Sequence, residues 1–219
     1  LGVNLKPAKH MGIRTIKVSS TQQAISDMER ELGFPVQGYM PGTSVVPDRL
    51  KIPTDKLKMY LEQQLGLRGQ DDPIVRCYEH GQSNPTYFVR YAGKNMVLRK
   101  KPPGKLLPSA HAVEREHRVM KAVWDQGVPV PKMLGLCEDD SLLGTPFYVM
   151  EHVEGRIFKD PLLPGMTPTQ RRHIYRAMCE VLAKIHKVDV HKAGLQDFGR
   201  PDNYLKRNFT RWAKQYEAS

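Results

Sequence analysis

A chain of 219 residues with 40% hydrophobic and 26% charged side chains can bury one good core or two small ones, which excludes disorder throughout. Thirty-four Lys and Arg against twenty-three Asp and Glu leave a formal charge of +11, an attraction toward anions that does not choose among nucleic acid, nucleotide and acyl-CoA. The cations are dispersed, without zinc-finger spacing or a basic stripe interleaved with aromatics, so nucleic-acid binding is not expected. Nor is a membrane span, since no apolar run approaches roughly eighteen residues.

Cys77, Cys137 and Cys179 lack metal-type spacing, and their odd number fits unpaired thiols in a reducing compartment inside the cell. Leu1-Gly2-Val3-Asn4 has neither a start methionine nor a signal-peptide plan, and is expected to continue from a longer chain.

Residues 1–34 read as helix, strand, helix. Asn4 caps a run with Leu5, Ala8 and Met11 that stops at Gly12. Ile13–Val18 alternates as a strand, and Ser19-Ser20-Thr21 caps a helix with Ala24, Ile25, Met28 and Leu32 on one face. These elements cannot cover their own apolar faces, so they read as the C-terminal remnant of an α/β domain. Residues 35–53, punctuated by Pro35, Gly38, Pro41, Gly42, Pro47 and Pro53, read as an interdomain linker.

A second unit is expected over 54–153. Thr54-Asp55 caps a helix with Leu57, Tyr60, Leu61 and Leu65 on one side, ending at Gly66. A strand Ile74–Tyr78 leads into Gly81-Gln82-Ser83-Asn84-Pro85, a turn-rich stretch followed by the strand formers Thr86-Tyr87-Phe88-Val89. Ala92-Gly93-Lys94-Asn95 turns the chain into Met96-Val97-Leu98 and the basic cluster Arg99-Lys100-Lys101 with Lys105. Backbone amides and short polar side chains in such a loop can approach phosphate oxygens closely, and cations on the next strand suit the same ligand. A helix over Ala110–Val123 and strands Met133–Cys137 and Pro146–Met150 complete one antiparallel sheet with a helix packed across it. From residue 154 onward the pattern is helical. Thr167-Pro168 starts a long helix with Ile174, Ala177, Met178, Val181, Leu182 and Ile185, and Tyr204 to Tyr216 suggests another.

Two resemblances rest on these residues. Asn4-Leu5-Lys6-Pro7-Ala8-Lys9-His10-Met11-Gly12-Ile13, followed by a Thr-Ile strand, resembles the C-terminal end of haloacid-dehalogenase-like hydrolases. The acids that do that family's chemistry would precede Leu1. From about Thr54 to Ser219 the order of elements and the string Gly81, Ser83, Asn84, Thr86, Tyr87 resemble the aminoglycoside-phosphotransferase-like kinases. The implied fold is α+β: a protein-kinase-like small lobe with an antiparallel sheet, the start of a helical large lobe over 154–219, and a haloacid-dehalogenase-like α/β tail before them.

The resemblance implies that Gly81, Ser83, Asn84 and Thr86 cover the phosphates of ATP. It implies that Arg99 or Lys100 holds those phosphates with Glu116 as its partner, and that backbone groups at Glu151 and Val153 read the adenine. Asp197-Phe198-Gly199 copies the magnesium triplet of protein kinases without a preceding catalytic loop, so no metal role is expected for Asp197. The catalytic base and the Mg2+ ligands are expected beyond Ser219, which leaves no catalytic or metal residue in this chain. The hydrolase-like tail, the kinase-like lobe and the string Val97-Leu98-Arg99-Lys100-Lys101-Pro102-Pro103-Gly104 together resemble a multidomain acyl-CoA dehydrogenase family. That implies a small-molecule hydroxyl as acceptor, with a hydroxyacyl-CoA as one candidate, a mitochondrial location with the peroxisome and the cytoplasm as alternatives, and FAD only in a domain absent from these residues. The competing expectation is a non-catalytic truncated product that serves as an interaction fragment.

Overall fold

The computed structural model describes residues 11, 15–16, 18–32, 40–79, 83–104, 111–199 and 202–217. The cap expected at Asn4, the residues through His10 that carry the hydrolase resemblance, Gly81, Gln82 and Lys105 lie outside them. Helix α1 (Thr21–Leu32) begins as its caps require: Ser20 Oγ accepts from the Gln23 amide at 3.1 Å, and Gln23 Oε1 accepts from the Ser19 amide at 2.9 Å. Of the strand expected over 13–18, the described residues Thr15, Ile16 and Val18 take no strand pairing. Alternation alone does not make a strand without a neighbour to bond.

Among the described residues six strands form an antiparallel sheet: β1 (Thr43–Ser44), β2 (Ile74–Tyr78), β3 (Thr86–Tyr91), β4 (Lys94–Lys100), β5 (Met133–Cys137) and β6 (Phe147–Glu151). Their spatial order is β1-β2-β3-β4-β6-β5. The β3–β4 connection is tighter than expected. Only Ala92 and Gly93 turn the chain, with φ of 50° and 72°, and Tyr91 already pairs with Lys94. Two consecutive positive φ values match the right-handed twist of the strands it joins, which lengthens β4 at its start.

Alternation along the strands sorts the side chains onto two faces. On one face Tyr87, Val89, Met96, Leu98, Phe147 and Val149 form the core with Leu57, Tyr60 and Leu61 of helix α2 (Thr54–Leu65). Leu57 and Leu61 are fully buried, each stabilising the lobe by about 1.5–3 kcal/mol. Tyr60 meets Phe147 edge-on at 4.9 Å. Pro53, not Thr54 or Asp55, occupies the N-cap of α2, without a capping side chain. Helix α2 is therefore held by its buried face more than by its start. Gly66 ends it at φ 65°, the left-handed conformation glycine accepts without steric cost.

Helix α3 (Val113–Trp124) crosses the opposite face, whose strand residues include Thr86, Arg99 and Tyr148. Part of the stretch expected as a linker belongs to this lobe. Thr43 accepts from the buried Arg76 through Oγ1 at 2.8 Å and its carbonyl at 3.1 Å. Tyr87 Oη donates to the Leu50 carbonyl at 2.9 Å, and Ile52 is buried.

The acidic turn after β5 is a short helix, α4 (Asp140–Leu143), capped by Asp139 and stopped by Gly144 at φ 87°. Helix α5 (Pro168–His186) starts from a reciprocal Thr167–Gln170 capping box, and α6 (Tyr204–Glu217) follows. Met178, Leu182 and Ile185 of α5 and Leu205, Phe209, Trp212 and Tyr216 of α6 stand exposed. Among the described residues no helix is long and apolar enough to cross a membrane.

Candidate functional site

Glu116, in the first turn of α3, is the point where three elements meet. Its Oε2 accepts from Arg99 Nε of β4 at 2.8 Å and from Tyr148 Oη of β6 at 3.0 Å. Its Oε1 accepts from Asn84 Nδ2 at 2.9 Å. Arg99 Nη1 reaches on to Thr86 Oγ1 at 3.2 Å, and Thr86 Oγ1 donates to the Asn84 carbonyl at 3.1 Å. Strand register explains the convergence: Arg99 lies opposite Thr86 on one side and Tyr148 on the other, so all three side chains leave the same face.

The electrostatics follow from this packing. Burial and the Glu116 carboxylate both push the Tyr148 hydroxyl well above its ordinary value, so it stays protonated and donates. Arg99 and Glu116 keep 25% and 35% of their side-chain surface exposed, so a ligand can reach the pair. They line one wall of a cavity of about 720 Å3 with His111, Tyr148, Met150 and Phe198. One further rung ties the strand end to α3: Lys101 Nζ sits 3.1 Å from Glu114 Oε2.

The structure separates the two cations that the sequence left open. Arg99 faces Glu116, whereas Lys100 points to the core face and is only 7% exposed. Successive strand residues take opposite faces, so one position decides which cation can meet α3. Burial pushes the Lys100 ammonium below its ordinary value, only partly opposed by Asp140. Asn84 and Thr86 are brought to Glu116 and Arg99, and Ser83 is exposed beside them; Gly81 lies outside the described residues.

Glu151 is not brought into this cavity. It closes β6, its amide donates to the Lys132 carbonyl at 2.9 Å, and it lines a separate space of about 580 Å3 with Lys94, Lys132 and His152. Val153 follows, exposed, while the His152 ring meets Phe88 edge-on at 5.5 Å.

Tyr148 and His111 belong to the cavity but carried no signal in the sequence. Tyr148 sits in an apolar strand whose outward face only the pairing with β4 reveals. The helix expected to include His111 begins only at Val113, so His111 lies before α3 at φ 60°, with its Nδ1 2.9 Å from Asn84 Oδ1.

The Asp197-Phe198-Gly199 triplet has a structural explanation. Arg118 of α3 donates to both carboxylate oxygens of Asp197 and to the Gly194 carbonyl, the last at 2.8 Å. Arg115 lies 4.2 Å from the Phe198 ring centroid and donates to the Phe198 carbonyl at 2.9 Å. The loop is docked on the helix that carries Glu116.

An antiparallel sheet with a crossing helix, a strand cation paired to a helix glutamate and a helical segment after the last strand define the small lobe of a phosphotransferase of the kinase-like fold. A family model described as the phosphotransferase enzyme family matches residues 75–219, and the chain belongs to this family. Over its whole length it is 49% identical to mouse acyl-CoA dehydrogenase family member 10, of which it covers 20%. It is 52% identical over 150 residues to the Arabidopsis thaliana probable acyl-CoA dehydrogenase IBR3, 66% of this chain and 18% of that protein. It is 43% identical over 172 residues to human acyl-CoA dehydrogenase family member 11, 77% of this chain and 22% of that protein. The chain thus spans about a fifth of the length of the curated relatives it matches. A crystal structure from Ralstonia eutropha JMP134, described as a candidate aminoglycoside phosphotransferase, is 42% identical with a TM-score of 0.65, over 77% of this chain and 48% of that one.

Proposed function

We propose that this chain is the nucleotide-binding part of an ATP-dependent phosphotransferase acting on a small-molecule hydroxyl, with a hydroxyacyl-CoA as the acceptor. The observation that carries the proposal is the Arg99 guanidinium, tied through Nε to Glu116 and through Nη1 to Thr86 at the wall of a cavity. A cation fixed in advance on a partly exposed surface suits phosphate oxygens, because its orientation need not be ordered on binding. ATP fits this donor set, and it would supply the phosphoryl group.

In the overall reaction the terminal P–O bond to the ADP leaving group breaks, and a bond forms to the acceptor oxygen, whose proton passes to a base. Arg99 would hold nonreacting phosphate oxygens, and Glu116 would keep Arg99 aimed. Among the described residues no group of three or more His, Cys, Asp or Glu side chains could hold a metal ion. The acyl-CoA part of the proposal leans on the names of the relatives and on the formal charge of +11, which suits a phosphate-bearing acceptor.

The test is incubation of the full-length protein with ATP labelled in its terminal phosphoryl group and a panel of hydroxyacyl-CoAs beside alcohols that carry no acyl-CoA. Label is expected in an acyl product and is expected to disappear with Arg99→Ala. Transfer only to acceptors without an acyl-CoA overturns the acceptor, and no transfer to any alcohol overturns the reaction.

A further inference from the structure

Hydrogen-bond logic determines the state of His111. The Glu116 carboxylate can only accept, so the Asn84 group 2.9 Å from Oε1 must be its NH2. The Asn84 side-chain oxygen Oδ1 therefore faces His111 Nδ1 at 2.9 Å and can only accept as well. The proton must then sit on Nδ1, which in the neutral ring leaves Nε2 as the acceptor nitrogen. Asn84 is 1% exposed, so water cannot readily replace either partner. His111 holds a φ of 60°, a conformation costly for an ordinary L residue and maintained only where the surroundings require it.

We infer that His111 is a positioning residue of the nucleotide site, locked in its Nδ1–H tautomer, which sets Asn84 and through it the Glu116 carboxylate against Arg99. The inference rests on the nucleotide reading of the cavity. The relay runs His111, Asn84, Glu116, Arg99, and it joins the segment before α3 to β4 through Asn84 in the turn before β3 and Glu116 on α3. If the histidine is lost, the buried Asn84 oxygen has no donor and the amide is free to rotate. Glu116 Oε1 then loses its partner, and Arg99 is held by one carboxylate oxygen whose own orientation has relaxed.

Two substitutions tolerate the positive φ and so separate the side chain from the backbone. His111→Asn places an amide NH2 near the Nδ1 position, whereas His111→Gly removes the donor. In the full-length protein, calorimetric MgATP affinity is expected to fall about tenfold for His111→Gly and to stay within about threefold of the parent for His111→Asn. Nitrogen NMR of the labelled imidazole is expected to show a protonated Nδ1 and a bare Nε2 in the neutral ring. A bare Nδ1 overturns the inference, as does His111→Gly binding MgATP like the parent, or His111→Asn binding no better than His111→Gly. Failure of the parent protein itself to bind MgATP instead overturns the nucleotide reading, and the inference falls with it.

Discussion

Arg118 on α3 grips Asp197 through both carboxylate oxygens although the two residues stand 79 positions apart. The same arginine holds the Gly194 carbonyl, and its neighbour Arg115 covers the Phe198 ring. A triplet that copies a metal-binding motif therefore serves as a mooring for the loop, with its acid already satisfied by a guanidinium.

Arg118→Ala is expected to free this mooring. Amide hydrogen exchange over residues 194–199 should quicken markedly, while the thermal midpoint moves little because both partners are solvent-exposed. Hydrogen bonding to Arg118 holds the Asp197 carboxyl below its ordinary 3.8. Its contribution is thus fully present above 3.8 and lost as pH falls through the lowered value. Exchange protection of the loop measured against pH should hold through neutral solution and collapse only in acid; protection already lost at pH 5 would contradict the pairing.

Glu116→Ala is expected to destabilise the lobe by about 1 kcal/mol or somewhat more, since Arg99, Asn84 and Tyr148 all lose their acceptor while partial exposure softens the loss. Tyr148→Phe removes one of those donors and should cost about 1 kcal/mol or less. Denaturant unfolding of the two variants and their combination checks the coupling. Strictly additive costs would mean that the hydroxyl and the carboxylate do not interact.

Arg99 and Lys100 are expected to respond oppositely. Arg99→Lys keeps the charge but loses the fork that reaches Glu116 and Thr86 together, so MgATP affinity should drop about tenfold. Lys100→Met replaces a buried ammonium on the core face with an apolar side chain of similar length. Its stability should be unchanged or raised, with MgATP affinity within about twofold of the parent. A larger affinity loss for Lys100→Met than for Arg99→Lys would reverse the assignment of the cation.

Alkaline titration should report the buried tyrosines. Burial pushes the Tyr60 hydroxyl up to about 12, and Tyr87 and Tyr148 are raised as well, the latter also by Glu116. A raised folded value means stability is intact below the ordinary 10.0 and is lost as pH rises through the folded value. Tyrosinate absorbance should therefore include a fraction that appears only with unfolding above pH 10, where the denaturant midpoint falls. Complete ionisation while the fold persists at pH 10 would rule out this burial.

The amino-acid order by itself determined the local elements of this protein. Runs of strand-forming apolar residues marked β3, β4 and β6, and the Thr167-Pro168 start and the Gly66 stop bounded helices, because each of these signals acts within a turn or two of backbone; Glu116 as the partner of a strand cation came from the family resemblance. It could not determine which of Arg99 and Lys100 meets that glutamate, since adjacent strand residues point to opposite faces and only sheet pairing assigns the faces. Nor could it reveal that Thr43, Leu50 and Ile52 belong to the lobe, that Tyr148 and His111 join the cavity, or that Asp197 is spent on Arg118. Those relationships join residues far apart in sequence. They come into being only when strand register and the docking of α3 bring the chain's distant parts within hydrogen-bonding reach.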